Sequence, residues 1–486
     1  MNVLFVSAEV DPFAKVGGLA DVVGSLPQAL RQLGIDARVL MPSYGFIHSG
    51  RWNIQPYLHF QVFRRNGVAD CTLFATEHDG VPVYFLQSWP FFGNESTVYT
   101  EWDWDSPRFT FFNQAAIAAV DVLRDQAGFA VDLLHVHDWH TGLIPFLTDG
   151  QRWRQEWSGV GTMLTIHNMA YQGDHVERFL VDAGIPARLH PQLEMRGLTD
   201  NFLAAGIAFA DVITTVSPRY AIEIQYAHAG FGLEGLLRTR VSDLHGIVNG
   251  LDVSLWNPET DPTLASNYSA ADFETKRPPN KLQLQREMGL PERNDVPLIG
   301  LVSRLVWQKG IDLLIPAMRG VLAGQDVQFV ALGSGEPQYN DQLASLERDF
   351  PGKARAYIGF NAAVAERIYA GSDFFVMPSH FEPCGVGQLI AMRYGSLPIV
   401  RETGGLADTV INYDGGPADT GTGFVFSWEQ SEALYNTIIW ALNTYRSNPG
   451  AIRRMQRRAM ETDFSWNEGA RQYAALYEDA VRRHRP

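Results

Sequence analysis

The residue types and spacing most suggestive of chemistry lie between positions 378 and 409, PSHFEPCGVGQLIAMRYGSLPIVRETGGLADT. An apolar run at 374–377 reads as a short buried strand, broken by Pro378-Ser379-His380-Phe381, after which Glu382 stands in a loop. Gly385 and Gly387 let the backbone of that loop come close to a ligand. Residues 388–394 suit a helix ended by Gly395, 397–400 a second buried strand, and Thr403-Gly404-Gly405 the start of another helix. Two such units put two helix N-termini on one edge of a parallel sheet, where free N–H groups and positive dipole ends hold an anion. A carboxylate beside two anion-binding loops suits a sugar joined to a phosphate. For this stretch alone, a Gly-rich packing turn is the structural alternative.

The same letters recur at the other end of the chain. Gly17-Gly18-Leu19-Ala20-Asp21 repeats Gly404-Gly405-Leu406-Ala407-Asp408, again between an apolar strand and a helix. Two copies in equivalent settings predict two related α/β halves, each offering a helix N-terminus. Lys15 precedes the first copy, as a cation for phosphate or as a solvated loop lysine. Arg304 and Lys309 flank Trp307 where another strand feeds a helix. Arg binds phosphate bidentately and Lys acts as a point charge, so the pair reads as a clamp.

The remaining candidates also sit at predicted strand ends: His137-Asp138-Trp139-His140, His167-Asn168, Ser217-Pro218 and Asn249-Gly250. Open α/β sheets bind ligands at that edge. His167 beside Asn168 fits either a sugar-hydroxyl contact or a satisfied core histidine. His135, His137 and His140 invite a metal, but no Cys or second carboxylate cluster completes a ligand set. Asp103-Trp104-Asp105 resembles a cation-binding Asp-X-Asp. Pro107 follows, and capping by Asp105 or Ser106 of a helix ending near Arg124 is the better account. There is no Gly-X-Ser-X-Gly elbow and no Walker loop.

The elements that must position these residues alternate strand and helix across 486 residues, a length that predicts two large domains. With 46% hydrophobic and 19% charged residues, there is apolar material for two cores. A net charge of −15 argues against nucleic acid as partner. Only Cys71 and Cys384 occur, which points to a reducing compartment, and no apolar run approaches a bilayer span. The first strand begins at Asn2 and leaves no room for a leader, so a cytoplasmic protein is expected. Residues 50–100 alternate apolar and polar side chains and read as antiparallel strands inserted on one sheet edge. Residues 246–248 read as a strand before Asn249, and 256–296, rich in Pro, Asp and Asn, as the linker into the second half.

Together these motifs resemble the bacterial glycogen synthase and starch synthase family. Lys15-Val16-Gly17-Gly18-Leu19-Ala20-Asp21, the His135–His140 run, Thr165-Ile166-His167-Asn168, Val248-Asn249-Gly250, Ser303-Arg304-Leu305 with Gln308-Lys309-Gly310, Glu382-Pro383-Cys384-Gly385 and Thr403–Thr409 match in order. The resemblance runs from Met1 to about Tyr477. It implies a GT-B fold: two Rossmann-like, doubly wound α/β domains facing a deep cleft. The expected spans are 1–250, 251–462 and a helical tail, 463–486, packing back on the first domain. It further implies transfer of glucose from ADP-glucose to the non-reducing end of an α-1,4-glucan with retention, without a metal or other cofactor. The implied diphosphate ligands are Arg304, Lys309 and backbone N–H groups near Gly18 and Gly387, with Gly17 and Gly385 in the same loops. His167 and Asn249 match residues that hold glucosyl hydroxyls, with Asn168 beside His167. Glu382, followed by Cys384, matches the acidic residue over the sugar. Glu9, Asp138 and Tyr99 match cleft residues on the acceptor side, and Lys15 the glycine-loop lysine. Phe360 stands where relatives commonly stack a Tyr on adenine, and Gly387 where they often carry Thr. The rivals are a GT-B transferase with another acceptor and a glucan-binding protein without turnover.

Overall fold

The computed structural model describes residues 1–416 and 419–484. The chain forms two compact units, one of Met1–Gly250 with the helix Trp466–Arg482, the other of Leu251–Ser465. The first is built on a nine-stranded sheet whose strands are β1 (Asn2–Val6), β2 (Asp36–Pro42), β3 (Gln55–Arg64), β4 (Gly67–His78), β5 (Val81–Gln87), β6 (Leu133–His137), β7 (Gly161–Ile166), β8 (Val212–Thr215) and β9 (Leu244–Gly246). Their order is β3-β4-β5-β2-β1-β6-β7-β8-β9. From β5 to β9 every pairing is parallel, and only the β3–β4 and β4–β5 pairs are antiparallel. The alternating segment 50–100 is therefore an edge extension, while the inner strands β6 and β7 are buried throughout, as strands covered on both faces must be.

The second unit carries β10 (Leu298–Val302), β11 (Gln328–Gly333), β12 (Ala354–Ile358), β13 (Phe374–Met377), β14 (Leu397–Arg401) and β15 (Phe424–Phe426). They form a wholly parallel sheet in the order β12-β11-β10-β13-β14-β15.

Three local expectations are corrected. The helix expected to start at Asp105 or Ser106 runs Trp102–Ala127, with Glu101 at its N-cap and Pro107 inside. Trp102 packs on Trp139 and Trp104 on Phe91, which pins the extra turn. Asp105 reaches back, accepting from the Thr100 N–H at 3.0 Å and its hydroxyl at 2.6 Å. The strand before Asn249 is Leu244–Gly246 and not 246–248; Gly246 packs against the 217–218 turn, where a Cβ would come 2.3 Å from the Ser217 carbonyl oxygen. Residues 256–296 are no linker. They hold helices Phe273–Lys276 and Pro278–Glu287, and buried cations tie them into the second unit. Arg277 donates to the Tyr394 carbonyl at 2.9 Å, and Lys281 meets Asp373 at 2.7 Å.

The helix Trp466–Arg482 lies against the helix Gly18–Gln32 and β7. It buries Tyr473 and Tyr477. The Tyr477 hydroxyl is 2.8 Å from His135 Nδ1, while His135 Nε2 is 2.6 Å from the Thr165 hydroxyl. Burial, with His167 adding to it, holds His135 well below the ordinary histidine range, so the ring is neutral and one nitrogen accepts. Tyr477→Phe is expected to leave a buried ring nitrogen unpaired and to destabilise the first unit by about 1–3 kcal/mol. The measurement is the denaturant midpoint of that unit; an unchanged midpoint would show that the bond contributes nothing.

Candidate active site

In each sheet the strand order reverses at one place. β2 and β6 flank β1, and β11 and β13 flank β10. At such a switch point the loops after neighbouring strands run in opposite directions and leave a crevice at the carboxyl ends. Most of the candidate residues lie on loops at this edge of the two sheets, and Phe360 stands apart from the crevice.

In the first unit the crevice is built by two buried carboxylates. Glu9, after β1, accepts the N–H groups of Val16 at 2.7 Å and Gly17 at 2.9 Å through Oε2, and the Tyr99 hydroxyl at 2.5 Å through Oε1. Asp138, after β6, has φ 54° and accepts from the His167 N–H at 2.6 Å, with the Asn168 N–H at 3.4 Å. Burial pushes the Asp138 carboxyl up to about 7, against the pull of those two N–H groups. Glu9, Tyr99, Asp138, His167 and Asn168 thus come together, with the carboxylates spent on shaping loops. His137 Nδ1 is 3.0 Å from His167 Nε2, and burial depresses both rings, His167 to about 3. Neither is a cation, so the pair shares one hydrogen and the tautomers of the two rings are coupled. The Asn168 side chain accepts the Ala170 N–H at 3.0 Å and closes a turn. The Asn249 side-chain oxygen is buried with no partner among the described residues. Both ring nitrogens of His135 are taken by hydroxyls, so it offers no lone pair to a metal.

The two copies of Gly-Gly-Leu-Ala-Asp serve different ends. A Cβ on Gly17 or Gly18 would meet nothing within 4 Å, and the Gly18 N–H has no partner among the described residues. That loop is open. In the second copy, Cβ atoms on Gly404 and Gly405 would come 1.9 and 2.1 Å from the Glu382 and Cys384 carbonyl oxygens. The Gly405 N–H donates to the Glu382 carbonyl at 3.0 Å. The expected second anion loop is therefore the support of the Glu382 loop, because its amide is already taken. Lys15 is not a free cation either: it pairs with Asp11 at 3.1 Å and with Asp21.

In the second unit Lys309 Nζ lies 2.6 Å from Glu382 Oε2, which also accepts the Ser379 hydroxyl at 3.0 Å. Glu382 is 5% exposed. Arg304 is exposed, and its guanidinium has no hydrogen bond or ion pair among the described residues; its carbonyl accepts the Ser303 hydroxyl at 2.9 Å. Gly310, with φ 67°, allows the contact between the loops, since a Cβ there would sit 2.0 Å from the Pro378 carbonyl oxygen. Cys384 is buried, and Gln388 donates to its carbonyl and to that of Gly385, each at 3.0 Å, and to the Thr409 hydroxyl at 3.1 Å. The Gly387 N–H, at the start of the helix Gly387–Arg393, has no partner among the described residues. Phe360 follows edge strand β12 and is 84% exposed, two strands away from the Arg304 loop. Ser379 and Gln388 are not singled out from sequence, and His137 reads there as a strand-end residue and metal candidate but not as the partner of His167. Each acts across a turn or between strands, and only the fold reveals those pairings.

Two family models match. Residues 2–239 fit the starch synthase catalytic domain and residues 287–459 the glycosyl transferases group 1. A glycogen synthase of Desulforudis audaxviator is 44% identical over 99% of this chain and 97% of its own length. One from Syntrophotalea carbinolica is 41% identical over the whole of both chains. The catalytic domain of starch synthase IV from Arabidopsis thaliana, solved bound to ADP and acarbose, superposes with a TM-score of 0.89 at 32% identity over 99% of both chains. The chain therefore belongs to the glycogen and starch synthase family, enzymes of the GT-B glycosyltransferase fold.

Proposed function

We propose that the enzyme transfers glucose from ADP-glucose to the non-reducing end of an α-1,4-glucan with retention of configuration, in the cytoplasm and without a metal ion. The observation that carries this reading is the Lys309–Glu382 pair at the β10/β13 switch point, with an unpaired Arg304 on the same loop as Lys309. Departure of ADP leaves negative charge on the diphosphate. Arg304, Lys309 and the open Gly387 amide are the groups that stabilise it, more in the transition state than before. Glu382 Oε2 is committed to Lys309 and Ser379. A carboxylate so held suits electrostatic support of an oxocarbenium-like sugar better than attack on it. Transfer from the leaving-group face, with the departing phosphate taking the acceptor's proton, then accounts for retention. His167, held neutral, donates to or accepts from a glucosyl hydroxyl, and Asn249 supplies its unpaired carbonyl oxygen.

Mixing the protein with ADP-glucose and glycogen in the presence of EDTA is expected to release ADP only when glucan is present. Dependence on UDP-glucose instead, or on added divalent cation, would overturn the donor or the metal-free reading. Arg304→Ala is expected to lower kcat by about 100-fold or more, as for loss of one oxyanion-stabilising donor. Glu382→Gln is expected to fold and bind ADP yet lose most turnover, and full turnover would remove Glu382 from the mechanism.

Asp138 gives a pH test. Its carboxyl, at about 7 when folded, keeps a proton that the unfolded chain releases near the ordinary carboxylate value of about 4. Between those values the folded state binds more protons, so this group's contribution to stability falls as pH rises from about 4 to about 7. Asp138→Asn should remove that slope. Denaturant midpoints of the first unit near pH 5 and near pH 8 check it; equal slopes in both proteins would contradict the assignment.

A further inference from the structure

The loops that carry Lys309 and Glu382 are stitched together around a side chain outside the family motifs, His380. Its ring is 8% exposed and lies flat on Trp307, centroids 4.2 Å apart and planes 10° from parallel. Nε2 is 2.9 and 3.1 Å from the two Asp312 carboxylate oxygens, in the first turn of the helix Ile311–Gly324. Nδ1 is 2.6 Å from Glu429 Oε1, beyond β15. The His380 N–H donates to the Gln308 carbonyl at 2.9 Å, and the Gln308 side chain returns a bond to the Phe381 carbonyl at 3.3 Å. From the end of β14, Arg401 donates to the Ser379 carbonyl at 2.8 Å, binds the His380 carbonyl, and stands 3.6 Å from Glu429. Three segments thus meet one imidazole two residues before Glu382, and Arg401 holds the backbone that carries it.

An ionised carboxylate only accepts hydrogen bonds, so carboxylates on both ring nitrogens are satisfied together when both nitrogens carry hydrogen. We infer that His380 is a positioning residue. As an imidazolium bridging Asp312 and Glu429, it locks the 378–382 loop onto the 303–310 loop and so fixes Glu382 for the transfer. This role rests on the reaction proposed above. The charged and titratable groups around the ring are Asp312, Glu429 and Arg401, with the Lys309–Glu382 pair on the flanking loops and Tyr339 of the helix Pro337–Asp349 beside Asp312. Loss of the ring proton leaves one carboxylate without its donor and frees one side of the loop. Arg304, the unpaired phosphate ligand, is not in this network, so donor binding should persist while turnover falls.

The test uses the full chain with His380→Gln and His380→Arg. Gln donates from a single nitrogen and cannot bridge carboxylates on opposite sides, whereas Arg has five donors and a permanent charge. With ADP-glucose and glycogen, His380→Gln is expected to lower kcat about 10- to 100-fold, the scale of a small misplacement, with KM for ADP-glucose and ADP affinity little changed. His380→Arg is expected to restore most of kcat and to flatten the alkaline limb of its pH profile. A wild-type kcat in His380→Gln, an effect confined to KM, or an unaltered alkaline limb in His380→Arg would overturn the role. The imidazole nitrogen resonances of ligand-free protein, assigned by their loss in His380→Gln, separate this inference from the proposed reaction. A neutral His380 ring at neutral pH sinks the inference even if ADP-glucose turns over. A protonated ring in protein inactive toward ADP-glucose supports the clamp and places the failure on the proposed donor.

Discussion

A loop leaving the carboxyl end of a parallel strand exposes backbone N–H groups that no neighbouring strand can pair, and a buried N–H left alone is costly. The first unit meets this constraint with Glu9 and Asp138, which take up the amides of Val16, Gly17, His167 and Asn168. The rest of that half-site follows. With Glu9 gripping the strand side of the glycine loop, the Gly18 amide has no partner among the described residues, and with Asp138 gripping the histidine loop, His167 is set against His137.

The second unit solves a related problem with charge. A buried carboxylate is stable only when paired and hydrogen-bonded, and Glu382 gains both from Lys309 and Ser379. The pairing neutralises Lys309 and leaves the Arg304 guanidinium exposed, with no partner among the described residues. In the function proposed above, a diphosphate arriving there would compete with Glu382 for Lys309, which would couple donor binding to the environment of the carboxylate.

Much of this was legible in the sequence because apolar runs and glycines are local signals. The inner strands β6, β7 and β13 read off their hydrophobicity, and the residues following them read as strand-end loops. The edge extension β3–β5 read off its alternation. What failed was whatever depended on partners distant in sequence. The Pro- and Asn-rich stretch 256–296 looked like a linker because its Arg277 and Lys281 find acceptors at Tyr394 and Asp373, over ninety residues on. Lys15 read as a cation for phosphate or as a solvated loop lysine, and its pairing with Asp11 and Asp21, though close in sequence, needed the loop's conformation to be seen. The identical pentapeptides are the sharpest case: equal letters predicted equal roles, yet one copy is open and the other is packed beneath Glu382. Packing against the 382–384 backbone decides that difference, and no local pattern encodes it.

The helix Trp466–Arg482 belongs to the first unit although all of Leu251–Ser465 intervenes. During synthesis the first sheet leaves the ribosome long before the helix that supplies Tyr477 to His135 and covers β7. Until then the part of that sheet at β6 and β7 lacks this helix, and the nascent chain must make the second unit before it can close the first. A domain order that looks sequential in the gene is thus nested in time, with the opening half the last to be completed.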